Sequence, residues 1–363
     1  MHFTDQFRVF ATLPSEKALS RPRRLVQDGR VTEAEAAYRA VLATQPELRQ
    51  AWIETFALLR TGGRYPEALT LAEQADAQFG AEALPAVLRG AALVELGRYR
   101  EGLAALDDAA QRDPNLGLVW HEAGYAAFRV GELSRALMAL DRAFALEPHG
   151  GTLHLRGQVL RQAGRYMAAE VAFEGAAEAA EFPAQREAAR AEIRITRRYA
   201  SFPRIKPEAL DPARRWFADG GGVPLTSGSG AAPSDAELCA AFARLAAESG
   251  WRFSVLVALD GWEGWYDLAR TLAVPVAAEV PGGDLVVPVI CARHPAGMPR
   301  WMELAPRPSV TRRGLALALH QPPQLAGADV AGIVGDTGGV IDSTFALIAT
   351  EHPEGRIAGR TLR

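Results

Sequence analysis

The sequence predicts an α-helical solenoid of five repeats with a capping helix, followed by a smaller α/β or α+β domain. Three observations predict it. Glycines Gly29, Gly63, Gly97, Gly131 and Gly164 recur at spacings of 34, 34, 34 and 33 residues, and a fixed period of roughly 20–50 residues is the signature of stacked helical or mixed repeats. Other residue types keep the same register. Five positions after each glycine stands a small residue (Ala34, Ala68, Gly102, Ala136, Ala169), and nine after it Tyr38, Ala72, Leu106, Leu140 and Phe173. Beyond residue 234 the period is lost. Short apolar runs bounded by Gly and Pro take over, as in a sheet-containing domain.

Each repeat element has a physical reason. The mid-repeat glycine ends one helix with positive φ, which costs glycine little. Small residues let two antiparallel helices approach closely, and the larger residue fills the space between neighbouring units. Pro46, Pro114 and Pro148, with Gly80 in the matching place, stop the second helix of their units. One such unit cannot bury its apolar face alone, so at least about three must stack. Residues 1–14 read as an N-terminal extension. The first helix is expected to begin near Pro22, because proline is tolerated in a first helical turn. Residues 184–200 read as one further helix, with Ala188, Ala191, Ile195 and Tyr199 on one face and Arg186, Arg190, Arg194 and Arg198 on another. That is the pattern of a polar cap on a solenoid end, the domain as a whole spanning 15–200.

The repeat resembles the tetratricopeptide repeat (TPR). The resemblance implies that the first helix of each unit lines a concave groove. It places groove residues ten, six, three and two positions before the hinge glycine. In the first three units these are mainly apolar or small, with Arg60 and Glu95 among them. In the last two they are His121, Tyr125, Arg129, His154, Gln158, Arg161 and Gln162. Hydrogen-bond donors beside an aromatic suit an acidic peptide segment. The Lys and Asn of chaperone-binding TPR clamps are absent from these sites. Two histidines with no Cys, Asp or Glu among the matched positions do not complete a metal-ligand set.

Residues 201–233, ending in ADGGGVPLTSGSGAAP, read as a Gly/Ser/Pro-rich linker. A helix capped by Ser234 or Asp235 should follow, to about Ser249. The segments 253–259, 272–277, 284–291, 315–319 and 329–334 read as strands, and 263–272 as a helix. Pro281-Gly282-Gly283 would turn a hairpin, and Pro275 and Pro288 favour edge positions. Residues 341–350 fit a helix or a strand. Five of the seven tryptophans fall after residue 200, as core or as a partner surface. Gly335, Asp336, Thr337, Gly338 and Gly339 form the candidate ligand loop. It lacks the GK[ST] of a phosphate loop, and its flanks depart from the aspartic-protease triplet. Cys291 with His294 or His320 could pair a thiol with a base, although a buried cysteine is the simpler reading.

Composition bounds the function. The 363 residues are 48% hydrophobic and carry a net charge of −3, which argues against a general nucleic-acid or membrane-surface coat. Two cysteines fit a reducing compartment. No signal-like N-terminus and no apolar run of about 18 residues stand out, so a cytoplasmic protein without a membrane span is expected. No catalytic constellation, cofactor motif or metal set is complete, so an enzyme is the less favoured reading. The expectation is a scaffold or adaptor. Its groove takes a protein segment and its C-terminal domain, residues 234–363, docks a second partner, with self-association open. The alternative is an enzyme or ligand sensor acting near Gly335–Gly339.

Overall fold

The computed structural model describes residues 13–283, 285–322, 324–325, 327–335, 339–358, 360 and 362, with side chains from Lys17 onward. The chain divides into two units, Met1–Ile193 and Arg194–Arg363.

The first unit is five helical hairpins: α1 (Leu13–Gln27) with α2 (Val31–Thr44), α3 (Arg49–Thr61) with α4 (Tyr65–Phe79), α5 (Ala83–Glu95) with α6 (Tyr99–Arg112), α7 (Gly117–Arg129) with α8 (Leu133–Leu146), and α9 (Gly150–Gln162) with α10 (Tyr166–Glu178). The five hinge glycines all have φ between 70° and 83°, where a Cβ would meet its own backbone. Tyr38, Leu106, Leu140 and Phe173 are all buried, the last three against Gly90, Gly124 and Gly157 on the first helices of their own hairpins. Trp52 and Trp120 each donate from the indole nitrogen to the carbonyl of the proline six residues earlier, Pro46 and Pro114, at 2.8 Å. This bond fixes the connection between successive units. The expectation for Pro22 is corrected: α1 starts nine residues earlier and holds Pro22 inside it. Leu19 and Leu25, buried on either side of Pro22, outweigh the one backbone bond that proline removes.

Helix α11 (Pro183–Tyr199) crosses the division. Ile193 packs beside Leu160 and Phe173 in the first unit. In the second, the Arg198 guanidinium is buried and donates to the carbonyls of Ala218, Asp219 and Glu354 at 2.7–2.9 Å. Burial pushes it down to about 10. Arg198 is therefore a structural residue of the second unit and no part of an exposed arginine face.

The second unit is α/β. Its elements are α12 (Pro212–Gly220), β1 (Val223–Pro224), β2 (Thr226–Ser227), α13 (Asp235–Glu248), β3 (Val255–Ala258), α14 (Gly264–Leu272), β4 (Val276–Ala277), β5 (Pro288–Ala292), α15 (Pro299–Leu304), α16 (Arg307–Thr311), β6 (Leu315–Gln321), β7 (Val330–Val334), β8 (Val340–Ile341) and α17 (Ser343–Glu351). Six strands form one sheet in the order β1-β7-β6-β5-β3-β4, every pair parallel. β2 and β8 pair antiparallel. Burial runs unbroken along Leu315–Leu319 and Val330–Val334, as a parallel sheet covered on both faces requires.

Three expectations are corrected here. There is no hairpin through residues 281–283: β4 and β5 flank β3 on opposite sides, both parallel to it. Pro288 is not at an edge but opens a central strand, where the first residue can do without its N–H. Residues 201–233 are not a linker. Asp211 caps α12 through Ala213 and Arg214, Trp216 and Phe217 enter the core, and β1 pairs with β7. Gly, Ser and Pro dominate the composition of that segment, but its few large apolar residues decide its fate. The expected cap is present as a reciprocal Ser234–Glu237 capping box.

Candidate interaction groove

The residues assigned to the groove lie on α3, α5, α7 and α9, and the fold links most of them to one another. Arg60 donates to Glu95 at 2.9 Å and to Glu122 on α7 at 2.9 Å, so one guanidinium ties three successive first helices together. Burial opposes its charge, but Glu122 and Glu95 outweigh that and hold it above the usual arginine range. Arg161 pairs with Glu192 on α11 and lies 5.6 Å over the Phe173 ring. His121 Nδ1 is 3.1 Å from the Thr152 hydroxyl. Burial, helped by the Arg60 charge, pushes its pKa down to about 3. His154 sits edge-on to Phe173 at 5.3 Å and within 3.3 Å of Gln158. Burial lowers its pKa as well. Upstream, Glu54 accepts a two-nitrogen grip from Arg23 and a 2.9 Å bond from Tyr38.

Arg129 is arranged differently. It is exposed, donates to the Tyr125 hydroxyl at 2.7 Å and to the Tyr99 hydroxyl, and lies over both rings at 5.6 and 5.0 Å. No carboxylate of the described residues is within ion-pair distance of it. Gln162 is exposed too. The donors assigned to an acidic segment thus separate into two kinds: Arg60 and Arg161 are engaged by carboxylates of the array, and Arg129 is held only by phenols. The acceptors Glu54, Glu122, Thr152 and Glu192 were not singled out from the sequence. A signal was present for two of them, since Glu54 and Glu122 both stand nine residues before their hinge glycines.

In the second unit, Asp336, Thr337 and Gly338 of the candidate ligand loop lie outside the described residues. Gly335 follows β7 with φ 80°, and Gly339 precedes β8. Cys291 is fully buried, and burial raises its thiol well above the ordinary range, which does not suit a nucleophile. Trp265 and Trp301 have no exposed surface, and Trp216 and Trp251 are buried, so the tryptophans mainly build the core. No group of three or more metal-ligating side chains occurs among the described residues, and no described helix is long and apolar enough to cross a membrane.

No protein-family model matches the chain, and no curated protein matches it. Among solved structures it is similar to a thermophilic TPR protein of Thermus thermophilus, at 19% identity over 49% of this chain and 98% of that one, TM-score 0.44. PilW, a type IV pilus biogenesis factor, is 18% identical over 53% and 87%, TM-score 0.42. PilF of Pseudomonas aeruginosa is 17% identical over 52% and 88%, TM-score 0.39. With five hairpins on a 34-residue period and a positive-φ glycine at every hinge, the N-terminal half of this chain is a tetratricopeptide-repeat solenoid.

Proposed function

We propose that the protein is an interaction scaffold whose repeat groove captures a partner segment and receives an acidic side chain or chain end at Arg129. The observation that carries this is the Tyr99–Arg129–Tyr125 arrangement. Two rings hold the guanidinium in place without neutralising it, so a carboxylate finds a positioned cation whose ordering cost is already met. Arg60 and Arg161 serve the array by cross-linking units. The C-terminal α/β domain is the second binding body of the scaffold.

Binding of a peptide array to the full chain tests this. Peptides with a carboxylate should be selected, and Arg129→Ala should weaken the best of them about tenfold, the scale of one charge-assisted bond at a partly shielded site. Arg129→Lys should restore only part of the loss, because lysine lacks the planar fork. Selection of acidic peptides that is unchanged by Arg129→Ala would place the receptor elsewhere.

A further inference from the structure

The strand order of the second unit reverses at one place. From β3 the chain moves through α14 to β4 on one side, then returns to β5 on the other side of β3 and continues outward to β6 and β7. The connections leaving the carboxyl ends of β3 and β5 therefore diverge. In open parallel sheets that divergence opens a crevice where ligands bind.

Four separate chain segments bring polar side chains to this point. Asp260 and Trp262 follow β3, Arg293 and His294 follow β5, His320 is the last residue but one of β6, and Asp235 is the first residue of α13. The Asp260 carboxylate accepts from the Arg293 backbone N–H at 2.7 Å, from Trp265 Nε1 at 2.6 Å and from the Trp262 N–H at 3.3 Å. It fastens β5's end to β3's. Asp235 is engaged by His320 Nε2 at 2.7 Å and lies 2.6 Å from Arg293 Nε. The Arg293 guanidinium lies 5.4 Å over the Trp262 ring. His294, exposed, stacks on His320 at 4.4 Å with 15° between the rings.

What this leaves unsatisfied is one-sided. The two terminal amino groups of Arg293 and both ring nitrogens of His294 have no hydrogen-bond partner among the described residues, whereas both aspartates are occupied. Core packing does not call for an arginine and two imidazoles gathered at the carboxyl ends of these strands beside a tryptophan.

We propose that the crevice between β3 and β5 binds the oxyanion of a small ligand, a phosphate or a carboxylate, through Arg293, with His294 as the flanking donor. Arg293 supplies the fork, and Trp262 with Asp235 fixes its plane. The site is independent of the repeat groove.

The test uses the full chain and two probes, inorganic phosphate and succinate, with the histidine C–H resonances of His294 and His320 read by NMR. One or both probes should shift the two signals saturably, and the stronger probe identifies the source of the oxyanion. Arg293→Gln, which keeps a planar polar end while removing the charge, should weaken the stronger probe about tenfold or more. The Arg142→Gln control, on α8 of the repeats, should leave it unchanged. A circular dichroism melt of each variant separates loss of binding from loss of fold; should Arg293→Gln unfold, His294→Gln replaces it. Signals that stay fixed up to tens of millimolar of both probes, or that shift equally in a folded Arg293→Gln variant, would overturn the proposal.

Discussion

His121 shows how one side chain ties stability to pH. Its pKa in the fold is down at about 3, against about 6.5 in an unfolded chain. The lowered pKa means the unfolded state takes up the proton first, so no stability is lost above about pH 6.5. Below it, stability falls as pH falls, by up to about 1.4 kcal/mol per unit, until the folded value is reached. Urea unfolding at pH 7 and pH 5 should show this loss, and His121→Gln should reduce it by about 1–2 kcal/mol. A second residue-scale case is the buried pair of Asp329 and Arg360, joined by two bonds of 2.6 and 2.7 Å. Burial raises the Asp329 carboxyl despite the arginine, so the pair is costly to split rather than strongly stabilising. Asp329→Ala should destabilise the second unit by about 3–5 kcal/mol, with the double change Asp329→Ala, Arg360→Leu recovering part of it in the same denaturation assay.

Between helices, Gly102 is informative because four of the five units have alanine in its place. A repeat-consensus argument would make Gly102→Ala stabilising by about 1 kcal/mol through helix propensity. The packing says the reverse. A Cβ on Gly102 would stand 2.9 Å from the Gly90 carbonyl oxygen and 2.7 Å from a Val94 methyl, and one on Gly90 would stand 2.6 Å from Leu106. Two glycines facing each other have let α5 and α6 pack backbone to backbone. Thermal unfolding of Gly102→Ala should therefore show a net loss of about 1–3 kcal/mol, and a variant more stable than the wild type would refute this account of the α5–α6 approach.

For the molecule as a whole, the consequential feature is where the second unit begins. Residues 201–233 supply Trp216 and Phe217 to its core, β1 to its sheet edge, and the Thr226 hydroxyl bond to the Gly332 carbonyl at 2.8 Å. A fragment starting at residue 234 should fail to fold cooperatively, whereas one starting at residue 194 should give a cooperative melt and dispersed amide signals. Folding of the shorter fragment would restore the linker reading.

The repeat was legible because its determinants are local and repeated. A hinge glycine, a small residue five later and, in four of the five units, a large one nine later each act on the nearest helix pair, and five copies make the pattern unmistakable. The Ser234 cap, β3, α14, β6 and β7 were legible for the same reason, since caps and apolar runs act within a few residues. Sequence alone also placed the assigned residues on the first helices of their units. It did not determine what they do there. Whether Arg60 is a free cation or a cross-link depends on Glu95 and Glu122, 35 and 62 residues away. Whether β4 and β5 form a hairpin or flank β3 depends on parallel pairing, which no local signal encodes. Asp260, Arg293 and His320 become neighbours only once β3, β5 and β6 lie side by side. Pairing across long stretches of chain is set by the total burial of the sheet rather than by any one segment, and the tertiary structure alone decides it.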